Sequence, residues 1–256
     1  MSKKNQKMIV GNWKMNPTTK EEARRIFVAI KKTASKASNI LTVICPPLPY
    51  ISIIGRQVLT YPLALGAQNV HHEYSGGFTG EVGASMLGSV GVSYVIIGHS
   101  ERRQSGESDE VVAQKCVTSL KAGLNVILCI GEKEHDTQGN YLDFLKNQIK
   151  TSLYKVERRF IKNVIIAYEP IWAIGGKISM ASADIYEMTI FIKKVLSDIY
   201  GQEDAMKTKI LYGGSVNFRD AKEIIVTGKV DGLLVGRESV NPEGFVEIIK
   251  TVDEIN

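Results

Sequence analysis

An α/β chain folded as a single (β/α)8 barrel is what this sequence predicts, and three observations carry that reading. Short β-branched, apolar runs alternate with longer amphipathic segments from one end of the chain to the other. Eight such strand–helix units fit into 256 residues with no linker or low-complexity stretch between them, close to the ~250 residues of a typical closed barrel of this kind. The runs are continuously apolar, as expected of parallel strands covered by helices on the outside.

The elements follow in order. Strands are expected at Met8–Trp13, Ile40–Cys45, Pro62–Gln68, Ser93–Gly98, Leu124–Ile130, Asn163–Tyr168, Thr208–Tyr212 and Val230–Val235. Amphipathic segments lie between them at Glu21–Thr33, Glu107–Ala122, Tyr141–Val156, Ala183–Ile199 and Phe218–Val226, with Pro242–Val252 after the last strand. An open doubly wound sheet would alternate in the same way. It would gain from a glycine-rich dinucleotide fingerprint after the first strand, and VGNWKMNP is not G-x-G-x-x-G. Nor does GGK belong to a P-loop, since Ile171 stands where the first glycine would be and Ile178 where Ser or Thr would be. The closed barrel is favoured, and it predicts that polar residues at the C-terminal ends of the strands share one mouth.

Bulk properties exclude several function classes. A hydrophobic fraction of 44% with 23% charged residues is that of an ordinary soluble globular protein, long enough to bury a sizeable core. A net charge of +5 is too mild to suggest a nucleic-acid partner. No apolar run reaches the ~18 residues needed to span a membrane. The leader from Ser2 to Lys7 is basic but lacks an apolar segment and cleavage site, so no secretory signal is expected. Cys45, Cys116 and Cys129 are odd in number and lack zinc-like spacing, which reads as reduced thiols in a cytoplasmic protein. His71–His72 has no third ligand at helpful spacing, so no metal is expected.

The strand ends supply the candidate chemistry. The first ends in Asn12 and Lys14, the fourth in His99 with Ser100 and Glu101, and the sixth in Glu169. The seventh ends in YGGSV, Tyr212–Val216, and the eighth in VGRES, Val235–Ser239. Each has a bland alternative. Lys14 could be a snorkelling strand end, His99 a core histidine capping the next helix, and Glu169 a helix N-terminal carboxylate. A shared mouth strengthens the constellation over its parts. Gly213–Gly214–Ser215 and Gly236 follow strands seven and eight, where barrels frequently hold a phosphate on backbone amides. The stretch YEPIWAIGGKISM, Tyr168–Met180, is too apolar for a plain connection and is built like a lid.

The segments GNWKMN, GAQN, GFTGE, GHSERR, CIGE, AYEPIWAIG, YGGSV and GLLVGR, in this order and over essentially the whole chain, resemble triosephosphate isomerase. The resemblance implies a TIM barrel that interconverts dihydroxyacetone phosphate and D-glyceraldehyde 3-phosphate without a cofactor, in glycolysis and gluconeogenesis. It implies Glu169 as the base, partly shielded by Ile171 and Leu234 and made more basic by desolvation. His99 is then the neutral hydrogen-bond donor to the enediolate, Lys14 the fixed charge, Asn12 a second donor, and Glu101 a second acid that holds Lys14 or relays protons. The family is a worked case of pKa tuning and lid closure.

By the same resemblance the substrate phosphate meets Asn12, Lys14, Gly175, Ser215 and the amides of Gly236 and Arg237. Pro170, Ile171 and Trp172 form the first hinge of the lid, Ala173, Ile174 and Gly175 its tip, and Gly176 and Lys177 continue it. GGFTGE, Gly76–Glu81, matches a loop that enters the second subunit of a homodimer, with Thr79 as the contact. Three departures stand out: QSGESDE after SERR is shorter by one residue, Arg237 stands where many members have a second glycine, and GGKISM replaces the common GTGKTA. Two other readings stay open. One is a barrel isomerase for a phosphorylated sugar or amine. The other is a barrel that has lost activity and serves as a binding protein, although Asn12, Lys14, His99 and Glu169 are all present.

Overall fold

The computed structural model describes residues 6–57, 61–174 and 180–255. The strands are β1 Lys7–Asn12, β2 Ile40–Cys45, β3 Leu63–Ala67, β4 Val92–Ile97, β5 Asn125–Ile130, β6 Val164–Tyr168, β7 Lys209–Tyr212 and β8 Gly232–Val235. They pair in parallel in chain order, and β8 closes on β1 through Met8↔Gly232 to Gly11↔Val235. This is the predicted (β/α)8 barrel.

Outside it run α1 Lys20–Ala34, α2 Leu48–Gly55, α3 Ala84–Ser89, α4 Ser100–Gln104, α5 Asp109–Lys121, α6 Asn140–Leu153, α7 Ser182–Tyr200, α8 Gln202–Lys207, α9 Ala221–Thr227 and α10 Pro242–Asp253. In α1, Ala23, Ile26, Phe27, Ile30 and Ala34 recur on one stripe and are buried against the barrel. Thr19 caps it by accepting from Glu22 N–H, a contact worth about 1 kcal/mol.

Period-2 alternation splits the apolar side chains into two cores. Met8, Val10, Val43, Ile96, Ile127, Ile165, Leu211 and Leu234 fill the barrel interior. Ile9, Ile44, Val95, Leu128 and Ile166 point the other way and pack with the helices. The interior core plugs the barrel from below, so polar strand ends can meet only at the open C-terminal mouth.

Only Ile40–Cys45 keeps its expected bounds among the strands; the others shift by one or two residues at one end or both. Trp13 lies past the β1 ladder although its N–H still donates to Cys45 O at 3.1 Å. Asn163 belongs to a 3-10 turn, Arg158–Asn163, that delivers the chain into β6. The helix expected from Glu107 begins at Asp109, because Ser108 accepts from Val111 N–H as its cap. Glu107 instead pairs inward with Arg102 and Lys115. The helix expected at Phe218–Val226 starts later, at Ala221. The short helices α2, α3, α4 and α8 span too few turns to show a periodic pattern.

Candidate active site

Each inward-facing set of side chains can be counted up to the mouth. In β1 it is Met8 and Val10, in β6 Ile165 and Ala167, in β7 Leu211 and in β8 Leu234. Adding two residues reaches Asn12, Glu169, Gly213 and Gly236. All four line one cavity of about 500 Å³, together with Lys14, His99, Ile174, Ser215 and Arg237. β4 breaks the count. Its inward Tyr94 and Ile96 point to position 98, which is Gly98 at φ 69. That left-handed turn, open to glycine without a side-chain penalty, brings His99 to the cavity instead.

His99 and Glu169 face each other there, 5% and 3% exposed, with Nε2 of the imidazole 3.3 Å from Oε1 of the carboxylate. His99 Nδ1 accepts the N–H of Glu101 at 3.2 Å, which caps α4. The ring hydrogen of the neutral tautomer therefore sits on Nε2, on the cavity side. The helix-capping reading and the catalytic reading of His99 describe the same side chain. Glu169 Oε2 is buried and takes no hydrogen bond among the described residues.

Burial opposes the charged form of both groups, yet the net shifts run the other way. Burial pushes the Glu169 carboxyl up, but the His99 imidazole, the Cys129 thiol and Lys14 outweigh it and hold the group below its ordinary value. Burial pushes His99 down, and the Glu169 carboxylate outweighs that and holds it up. The expected gain in basicity at Glu169 is thus reversed in this arrangement, because the His99 imidazole lies 3.3 Å from its carboxylate. Cys129 is buried with its thiol pushed well up by that burial, which suits a donor to Glu169 and not a nucleophile.

Lys14 sits at φ 53, a region that a residue with a Cβ enters at about 1–2 kcal/mol. Its backbone is held from both sides. The N–H donates to Asn12 Oδ1 at 3.0 Å, and the carbonyl accepts from Gln68 Nε2 at 2.8 Å. Gln68 Nε2 also reaches Cys45 O at 2.9 Å. Lys14 Nζ lies 2.6 Å from Glu101 Oε1. Glu101 thus holds Lys14 from outside the cavity, and among its two expected roles only the holding contact is seen.

The segment expected to form a lid begins at Pro170, which precedes a 3-10 turn over Ile171–Ala173. Ala173 is buried, Ile174 reaches the cavity, and Trp172 is partly exposed with its Nε1–H donating to Glu132 Oε1 at 2.8 Å. Glu132 Oε1 also accepts the Tyr168 hydroxyl at 2.9 Å, and Glu132 O accepts Ile171 N–H at 2.9 Å. At the far side, Met180 N–H donates to Tyr212 Oη at 3.1 Å. Gly175, Gly176 and Lys177 lie outside the described residues. Thr79 is exposed on its loop.

Sequence reasoning missed Gln68 and Glu132. Both lay within quoted motifs, and the signal was a lone polar residue following an apolar strand, which these two share with Asn12 and Glu169. Two glycines keep room around Glu169. A Cβ on Gly131 would sit 1.8 Å from Glu169 O, and one on Gly213 would sit 2.7 Å from Glu169 Cγ.

The family model for triosephosphate isomerase matches residues 7–252 of this chain. The chain belongs to the triosephosphate isomerase family. It is 41% identical to the triosephosphate isomerase of Aquifex aeolicus over 95% of this chain and 98% of that one. With the triosephosphate isomerase of Dictyoglomus turgidum the identity is 37% over 96% and 99%, and with that of Chlamydia trachomatis 39% over 98% and 92%. As a member of the triosephosphate isomerase family, the chain departs from the glycine pair after its eighth strand at Arg237, which is exposed beside the cavity.

Proposed function

We propose that this protein is a triosephosphate isomerase that interconverts dihydroxyacetone phosphate and D-glyceraldehyde 3-phosphate, a step of glycolysis and gluconeogenesis, in the cytoplasm and without a cofactor. The observation that carries the reading is the approach of Glu169 Oε1 to His99 Nε2 at 3.3 Å on the wall of a cavity that also presents Lys14. A carboxylate and an imidazole so placed can take a proton from, and donate a hydrogen bond to, one small substrate.

Glu169 removes a proton from the carbon beside the carbonyl, and the electron pair forms the carbon–carbon double bond of an enediolate. The carbonyl oxygen takes the charge, where His99 Nε2–H and the Lys14 ammonium stabilise it. The neutral carboxyl of Glu169 returns the proton to the neighbouring carbon while the hydroxyl proton passes between the oxygens. A substrate seated between Glu169 and His99 separates the pair, which removes the largest of the influences that lower Glu169 and lets burial count for more. Electrostatic donors of this kind are each worth on the order of 10²–10³ in rate.

The phosphate goes to the far side of the cavity, at Ser215 and the amides of Gly236 and Arg237. Ile174 reaches the cavity at that side, and a lid that covers the phosphate there would keep the enediolate from elimination. A homodimer completes the reading. Its support is a run of exposed apolar side chains, Met15, Leu48, Tyr74, Phe78 and Met86, with Thr79 at the tip of the loop between them. A groove lined by Leu48, Ile51, Gln68, Val82 and Arg102 suits an incoming loop. A coupled assay with glyceraldehyde 3-phosphate tests the function directly. Turnover together with a rise in melting temperature on adding 2-phosphoglycolate is expected. No turnover and no such rise would overturn the proposal.

A further inference from the structure

The second arginine of GHSERR takes no part in the chemistry above, yet Arg103 joins β4, which carries His99, to β5, whose Ile130 carbonyl accepts the Glu169 N–H at 2.7 Å. Its Nε–H donates to Gly98 O at 2.6 Å. Its Nη2 donates to Cys129 O at 3.2 Å and to Ser152 Oγ at 3.4 Å. Nη1 pairs with Asp109 Oδ1 at the start of α5, which also accepts the Ser152 hydroxyl at 3.2 Å. Gly98 is the residue before His99. Cys129 is the residue before Ile130, whose carbonyl accepts the Glu169 N–H at 2.7 Å.

The β4–β5 ladder runs from Tyr94↔Asn125 to Ile97↔Leu128 and stops there. One step further, the carbonyls of Gly98 and Cys129 both meet the guanidinium. Arg103 thus takes over the job of the ladder where the strands leave the barrel, immediately behind the mouth. Gly98 serves this in two ways. It adopts φ 69, and a Cβ there would lie 2.8 Å from Arg103 Nη2. The planar five-donor fork of arginine can reach two carbonyls and a carboxylate at once, and a lysine ammonium on its flexible stem cannot hold all three in one plane.

We propose that Arg103 is a positioning residue for the isomerisation, setting the spacing of His99 and Glu169 by clamping the outgoing ends of β4 and β5 to each other. The inference rests on the function proposed above. A displacement of reacting groups by about 1 Å can cost about 10²-fold in rate, and Arg103 holds the carbonyl next to His99 and the carbonyl next to Ile130, the residue that pairs with the Glu169 backbone.

The test uses Arg103→Ala and Arg103→Lys beside the unchanged protein. For Arg103→Ala, kcat should fall about 10²-fold, with KM and the affinity for 2-phosphoglycolate within about threefold. Low-millimolar guanidinium should restore part of the lost turnover, and methylammonium should not. Arg103→Lys should keep most of the melting temperature through its pairing with Asp109 but not recover kcat, and the 15N resonances of the His99 ring should move. Near-normal kcat in Arg103→Ala, full turnover in Arg103→Lys, or no rescue by guanidinium would each overturn the inference. If Arg103→Ala does not fold, Arg103→Lys decides alone. If the unchanged protein shows no turnover, the proposed function fails, and the inference is still judged by the His99 resonances. An unmoved ring in Arg103→Lys overturns it.

Discussion

Glu169 Oε1 lies 3.3 Å from His99 Nε2 while Glu169 Oε2 has no hydrogen-bond partner among the described residues. The carboxylate is therefore held against the imidazole on one side and enclosed by protein on the other. Glu169→Gln keeps the shape of the side chain and removes its capacity to accept a proton. Turnover should fall by about 10²–10⁴-fold or more, while 2-phosphoglycolate still raises the melting temperature. Near-normal turnover in the variant would show that another group is the base.

The same pair predicts a pH signature in the free protein. Glu169 is held below its ordinary value of 4.5, so its contribution to stability is full above 4.5 and is lost as pH falls through the lowered value. His99 is held above its ordinary value of 6.5, so its contribution is full below 6.5 and is lost as pH rises through the raised value. Both are complete only between 4.5 and 6.5. The difference in melting temperature between the unchanged protein and Glu169→Gln should be largest in that window and shrink on either side. A difference that is flat from acid to alkaline pH contradicts the pairing.

Gly213 gives a steric test of the position of the base. A Cβ built on it would approach Glu169 Cγ to 2.7 Å, so Gly213→Ala has to push the carboxylate aside. Because Gly213 contributes no side chain to the phosphate site, KM should change little while kcat falls, by about 10²-fold for a displacement near 1 Å. Steady-state kinetics separates the two constants. Unchanged kcat would mean that the base tolerates movement.

Association is tested at Thr79. Thr79→Arg adds bulk and charge at the tip of a loop proposed to enter a second subunit, where packed contacts tolerate neither. Sedimentation should show more monomer, and activity should fall in parallel if the entering loop supports Asn12 and Lys14 of the second subunit, as the family resemblance implies. A variant that is fully dimeric and fully active would remove Thr79 from the interface.

The architecture was legible because a parallel barrel strand is buried on both faces and announces itself as a short apolar run. Ile40–Cys45 and Pro242–Val252 show how far such a pattern can be trusted: the strand keeps its bounds and the helix gains one residue. Counting in steps of two from the interior side chains then takes β1 to Asn12 and β6 to Glu169, so two members of the site follow from strand period alone. The family itself could be read from motifs spread along the whole chain, and the match over residues 7–252 agrees.

What the linear chain could not specify is how neighbours in space set the state of each group. Desolvation alone predicts a more basic Glu169, and only the fold puts the imidazole of a residue 70 positions away against it, reversing the direction. The left-handed turn at Gly98 that swings His99 into the cavity, the strained φ of Lys14 held by Gln68, and the Glu132 carboxylate under Trp172 have the same character. The last two depend on a polar partner supplied by a different strand or loop. Local pattern determined which residues end each strand; the closure of the barrel decided which of them touch, and charge and hydrogen bonding at those contacts decided what each can do.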